Sequence, residues 1–289
     1  TALLIEEPEA HLHPQLQNIL FNYLNKLKSK GIQIFVSSHS PTITAKADLN
    51  SLLVLHEYNN KQYSFAINNS KLSDANKKYL SKFLDVTKSQ LFFSNGVILV
   101  EGIAEALLVS EFSKMIGNNE EYSIEKNGIE LVNINGIAFE HFAKLFNSDD
   151  DNKRLNIRST IISDDDRDIE TDEIASRAKN ALKLEKGLLK VKLAKKTFEY
   201  ELFIAGEANS DILMELFTDM HPKAAKRISK GNSIEEYASN FLNKVVKNKA
   251  KSELAHRLVI LLSTDIEKRK KFKIPNYIQE AIKWVVRGE

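Results

Sequence analysis

The chain has 289 residues, of which 43% are hydrophobic and 28% charged, a mixture that excludes disordered and fibrous classes and, at about 150 residues per domain, predicts two compact bodies. With no cysteine, no apolar run near the roughly 18 residues of a membrane span and no signal peptide, the chain is expected to be cytoplasmic, without disulfides, zinc–thiolate sites, thiol catalysis or a membrane partner. Forty-one basic against 39 acidic residues give a net charge of only +2, too little to name a partner.

Thr1 to Ile5 form an apolar run ending in Glu6 and Glu7, which predicts a strand buried on both faces. Leu16, Ile19, Leu20, Tyr23, Leu24 and Leu27 fall at helical spacing, and Gly31 stops that helix. Residues 32–36 form the next buried strand, ending in Ser37, Ser38, His39, Ser40 and Pro41, so the three elements make one crossover unit of a parallel sheet. Residues 51–67 alternate as a hairpin does, residues 73–91 read as a helix, and Asn95-Gly96 marks a boundary.

A second α/β pattern follows: a strand at 97–100 ending at Glu101, a helix at 104–116 closed by Gly117, a strand at 130–134 and a helix at 138–146. A further strand at 160–163 runs into Asp164, Asp165 and Asp166. Acids at strand carboxyl ends matter because the crevice above those ends is where open α/β sheets collect ligands. Beyond Glu170 the chain reads as helical and lysine-rich, with a last strand at 188–193. Asp165, Asp168 and Glu170 read as the solvated remainder of the acidic run, and Asp149, Asp150 and Asp151 as a solvated loop. Charge follows the same division. Residues 1–95 carry ten basic and seven acidic groups, residues 96–185 ten and 19, and residues 186–289 21 and 13.

The string from Ala2 to Pro14, with Glu6-Glu7-Pro8-Glu9 at its centre, resembles the Walker B and D-loop segment of ABC-type ATPases. That resemblance implies that Glu6 supports magnesium, where the family usually has Asp, and that Glu7 polarises the attacking water. Ser38-His39-Ser40-Pro41 resembles the end of the strand that carries the switch histidine, giving His39 the role of γ-phosphate sensor. The bland alternative is two solvated strand ends. No G-x-x-x-x-G-K-[ST] loop occurs, so the ATP site is expected to be completed only in a longer protein, of which this chain, lacking an initial Met, would be a fragment. His11 and His13 read as turn or contact residues rather than metal ligands.

Val97-Ile98-Leu99-Val100-Glu101-Gly102-Ile103-Ala104-Glu105 resembles the opening of a Toprim domain, and Ile161-Ile162-Ser163-Asp164-Asp165-Asp166 its Asp-x-Asp strand. Carboxylates gathered at converging strand ends repel one another unless a cation sits among them, and Mg²⁺ or Mn²⁺ is the natural guest. Glu105 falls in the first turn after Gly102, facing back toward Glu101; its bland reading is electrostatic support of a helix N-terminus.

A Walker B and switch-histidine half joined directly to a Toprim domain resembles the OLD (overcoming lysogenization defect) family of ATP-dependent nucleases, which includes the nuclease subunit of Gabija-type anti-phage defence. The Glu-Gly-x-x-Glu spacing, Asn135-Gly136, the 197–202 stretch Thr-Phe-Glu-Tyr-Glu-Leu and the 251–255 stretch Lys-Ser-Glu-Leu-Ala carry the resemblance. It implies an α/β fold class: the C-terminal lobe of an ABC-type ATPase at 1–95, a Toprim domain at 96–195 and a helical, basic extension at 196–289. It further implies that Glu101, Glu105, Asp164, Asp166 and Glu199, with Glu201 as competitor, hold two ions. Lys251, with Lys249 as runner-up, would face the scissile phosphate of DNA. The run Lys268, Arg269, Lys270, Lys271 and Lys273 fits DNA phosphates or a solvated segment, and Trp284, Ile278, Ile282 and Val285 read as a core stripe. ATP would act only in the longer protein, a homo-oligomer through its ATPase lobes, with a helicase-like partner as a further expectation. Two alternatives share the acids: a strand-passing or primase-type Toprim enzyme, and a non-catalytic ATPase or DNA-tethering module.

Overall fold

The structure is a computed structural model, which describes residues 1–136, 138–167 and 172–289; Asp168 and Glu170 lie outside the described residues. The chain divides into two compact units, Thr1–Ser94 with His141–Asn156, and Asn95–Glu140 with Ile157–Glu289.

In the first unit, β1 (Ala2–Glu6) pairs in parallel with β2 (Gln33–Ser37) across α1 (Pro14–Lys28). His13 caps α1 by accepting from the Gln15 N–H, Pro14 occupies its first turn, and Gly31 turns the chain at φ +80°. The expectation that β1 and β2 are buried on both faces is not met: Leu4 is 77% and Phe35 54% exposed. The apolar run encodes a central strand, but here the sheet is only two strands wide, and Leu16, Ile19 and Tyr23 of α1 also face solvent. After α2 (Pro41–Thr44), β3 (Leu53–Tyr58) and β4 (Lys61–Ala66) form the expected hairpin. Its two-residue turn, Asn59-Asn60, takes φ +50° and +58°, the left-handed pair that a tight right-twisted hairpin needs.

The helix expected over 73–91 is shorter. A capping box between Ser73 and Asn76 starts α3 (Asp74–Phe83), and residues 88–93 then form a tighter 3-10 turn. The 141–156 segment joins this unit through specific contacts. His141 stacks on Tyr79 and accepts from Asn76, and the Asn156 N–H donates to His56 Nε2 at 2.9 Å. The acidic loop at 149–151 is solvent-facing as expected, with Asp149 and Asp151 exposed, and it is anchored where Asp151 pairs with the buried Arg154, which also donates to Ser148 O and Asn156 Oδ1.

The second unit is built on a parallel sheet in the order β6-β5-β7-β8: β5 (Gly96–Val100), β6 (Ile129–Asn133), β7 (Arg158–Asp164) and β8 (Leu189–Ala194). The crossovers carry α4 (Ile103–Ser113), α5 (Phe139–Ala143) and α6 (Ser176–Leu182). β5 is wholly buried, as a central parallel strand should be. Gly96 is required there, since an added Cβ would stand 2.6 Å from Val285 Cγ1.

The remaining chain is helical: α7 (Phe198–Ile204), α8 (Glu207–Met220), α9 (Pro222–Ala225), α10 (Ile234–Lys247), α11 (Lys251–Thr264), α12 (Ile266–Lys271) and α13 (Asn276–Arg287). Ile278, Ile282 and Val285 of α13 are core residues, while Trp284 is half-buried and donates Nε1–H to Ser159 O. One apolar core joins α4, β5, α7, α8, α10, α11 and α13. Among the described residues no helix is long and apolar enough to cross a membrane.

Candidate functional site

Register places the acids of the second unit. β5 and β7 pair with Val100 opposite Ile162, so the next residue of each chain, Glu101 and Ser163, stand side by side. Ser163 Oγ donates to Glu101 Oε2 at 2.8 Å. Gly102 then opens α4 with an extended backbone (φ −149°, ψ −178°). Its value is space: an added Cβ would stand 3.1 Å from Glu105 Oε2, which folds back over it from the first helical turn.

Asp164 ends β7, is 8% exposed, and accepts from the Phe198 N–H at the start of α7. One residue into that helix, Glu199 is 4% exposed, and Lys251 Nζ at the start of α11 lies 2.8 Å from its Oε2. That contact is an ion pair by distance without hydrogen-bond alignment, because Glu199 Oε2 has no hydrogen-bond donor. Glu101, Glu105, Asp164, Glu199 and Lys251 therefore share one neighbourhood. Burial first, then Glu199, Glu105 and Glu101, pushes the Asp164 carboxyl well above the usual range. Glu105 is raised by burial and by Glu199 and Glu101. Burial works to lower the Lys251 ammonium, but Glu199, Asp164 and Glu105 more than reverse it, so its proton is held more tightly than usual.

The two choices left open by sequence separate in space. Glu201 accepts from the Lys195 N–H and lies toward Asp165 and Arg167, away from Lys251. Lys249 is exposed, at φ +54° in the turn before α11. Asp165 is corrected: far from being a solvated remainder, it is 3% exposed. It accepts from the Lys196 and Arg167 N–H groups and from the Arg167 guanidinium, so it ties residues 165–167 to Lys196.

Asp166 faces a cation that sequence reasoning missed. It takes a left-handed backbone (φ +41°) and pairs with Arg177 of α6, whose Nη2 is also 3.9 Å from Glu101 Oε1. No motif announces Arg177; only folding brings it across the sheet edge. Tyr277 was also missed. Its hydroxyl is buried without a hydrogen-bond partner, and burial, then Asp164 and Glu105, holds its proton far more tightly than usual.

Among the described residues no three His, Asp or Glu side chains stand ready-made to hold a metal ion; Lys251 and Arg177 are drawn onto Glu199 and Asp166 instead. The donor chemistry nevertheless fits a hard divalent cation. The set is all carboxylate, mostly buried and mutually repelling, which is the condition that Mg²⁺ or Mn²⁺ relieves.

In the first unit, Glu7 follows β1 at φ +40°, and its Oε1 lies 3.4 Å from His39 Nε2 after β2. Both are exposed, as is Glu6. Glu9, unassigned by sequence, ties the two strand ends together by accepting from Ser38 Oγ and the His39 N–H, each at 2.7 Å. The basic run is mostly committed within the chain: Lys268 pairs with Glu215, Arg269 with Glu111 and Lys270 with Glu267.

Residues 92–166 match the family described as overcoming lysogenization defect protein-like, TOPRIM domain, and residues 1–44 match an AAA ATPase domain. The Old nuclease of Escherichia phage P2 is 30% identical over 171 residues, covering 57% of this chain and 28% of that protein. Endonuclease GajA of Bacillus cereus (strain HuB5-5) is 29% identical over 161 residues, covering 46% and 22%. The chain thus spans between a fifth and a third of these relatives' length. The C-terminal region of the Xanthomonas campestris pv. campestris OLD protein is 24% identical with a TM-score of 0.44, covering 68% of this chain and 94% of that one. The corresponding region from Burkholderia pseudomallei gives 20%, 0.45, 67% and 97%.

Proposed function

We propose, on the premise that this chain carries an OLD-like Toprim domain over residues 92–166 and an AAA-type ATPase segment over residues 1–44, that it is the nuclease-bearing part of a metal-dependent DNA endonuclease. The observation that carries the reading is the buried group of Glu101, Glu105, Asp164 and Glu199 with one lysine, Lys251, at the carboxyl edge of a parallel sheet. Glu101, Glu105, Asp164, Asp166 and Glu199 would hold two Mg²⁺ or Mn²⁺ ions, which supply Lewis-acid activation of water and counter-charge for the leaving oxygen.

The remaining work belongs to the chain's own groups. Ser163 and the Phe198 N–H fix the Glu101 and Asp164 carboxylates in place before substrate arrives. Lys251, kept charged by its acidic neighbours, neutralises the negative charge that builds on the phosphate oxygens. The first unit supports an ATP-dependent control in the longer protein, with Glu6 toward magnesium, Glu7 toward water and His39 as sensor across a homo-oligomer. A role in anti-phage defence or DNA processing, with a helicase-like partner, is the biological setting that this reading favours.

Supercoiled plasmid with Mg²⁺ or Mn²⁺ tests it. The wild type should yield nicked or linear DNA, and Glu101→Gln and Asp164→Asn should not. Intact plasmid with both metals, or equal cutting by the variants, would remove the nuclease reading, and relaxed closed circles would favour strand passage.

A further inference from the structure

Among the described residues, Arg177 is the one guanidinium placed against two of the acids assigned to the metal, Asp166 by a direct pair and Glu101 at 3.9 Å. Its side chain is 42% exposed, as the Lys251 side chain is at 41%, but its partners Glu101 and Asp166 are themselves 21% and 29% exposed, whereas Lys251 is tied to Glu199, which is 5% exposed. A cavity of about 220 Å³ opens beside it, lined by Arg177 and Asn180 of α6, by Ser163 of β7 and by Phe139 and the acidic Glu140 of α5. The guanidinium thus stands between an acidic pair on one side and open space on the other.

Resting on the nuclease reading, we propose that Arg177 is a displaceable counter-ion that becomes the clamp for the DNA phosphate. Without a divalent cation, the guanidinium offsets the repulsion between Glu101 and Asp166. Once a cation takes those carboxylates, two positive groups compete for the same oxygens, and the half-exposed arginine is the one that can move. The cavity it lines is the nearest space, and a planar guanidinium there presents two parallel N–H groups to a phosphate, a geometry a lysine cannot reproduce. Asn180, one turn further along α6, adds a neutral donor toward the same space. Arg177 is then a substrate-binding residue whose movement couples metal entry to substrate grip.

The test is a Mn²⁺ titration of the 289-residue chain, read by electron paramagnetic resonance of the free ion, with wild type, Arg177→Ala and Arg177→Lys. Removing the competing cation should tighten Mn²⁺ binding about two- to fivefold, the size expected of a half-exposed ion pair. The same Arg177→Ala variant should raise the KM for DNA about tenfold with a smaller change in kcat, and Arg177→Lys should restore Mn²⁺ competition but not KM. Mn²⁺ binding that is unchanged or weaker in Arg177→Ala, at an unchanged melting temperature, would overturn the proposal while leaving the nuclease reading intact. Failure of the wild type to bind Mn²⁺ at all would overturn both.

Discussion

Lys251 and Lys249 sit two residues apart, yet their surroundings assign them opposite fates. Lys251 meets a carboxylate that is 4% exposed, and Lys249 faces solvent. Lys251→Ala is expected to lower kcat about 10²- to 10³-fold, as loss of one fixed charge at a developing oxyanion does. Lys249→Ala, a surface change, should leave the rate within about twofold in the same assay. Glu199 and Glu201 divide in the same way, since two residues, about 200° around the helix, separate the face toward Lys251 from the face toward Lys195. Sequence could name each pair but not choose within it, because the choice depends on which helix face packs inward. Arg177 was hidden for a stronger reason. It comes from the far side of a crossover, and nothing in its own neighbourhood of sequence marks it.

Among elements, the strands of the second unit were the most legible, because a central parallel strand must be a short apolar run and its acids must follow at the carboxyl end. β1 shows the limit of that logic. Its apolar run predicted burial, which requires neighbours on both sides, and the two-stranded sheet supplies only one. α3 ends early because Leu84 turns to an extended backbone (φ −73°, ψ 90°), although apolar residues continue at helical spacing into the 3-10 turn at 88–93. The basic run of α12 was legible as charge but not as partners. Arg269 serves Glu111 of α4, which is 8% exposed, so Arg269→Ala should destabilise the fold by about 1–3 kcal/mol through the stranded carboxylate. Thermal melting checks this, and the expected companion result is a salt dependence of DNA binding that barely changes, since this cation is already neutralised.

For the whole molecule, the small net charge hides an acidic middle and a basic end, and the acidic middle stores repulsion that shapes stability. Asp164 and Glu105 are held above their ordinary values of 3.8 and 4.5. The native chain therefore keeps protons that the unfolded chain has released, and stability falls as pH rises from those values through the raised ones. The melting temperature of the metal-free chain should carry this falling contribution as pH rises above those ordinary values, read as a profile across about pH 4 to 8. His56, whose pKa is lowered by burial, works in the opposite direction below its ordinary value of 6.5, so the clean comparison is the difference between wild type and Asp164→Asn, which should flatten the decline. A variant that declines as steeply as wild type would show that the acids are not the source.

The central claim is that these acids are gathered to hold divalent cations for phosphodiester hydrolysis. Calorimetric titration of Mn²⁺ into the wild-type chain and into a Glu101→Gln, Asp164→Asn double variant tests it most directly. The account predicts saturable binding in the wild type that disappears in the double variant, whose melting temperature without metal stays equal or rises. Saturable binding of equal strength in both would contradict it.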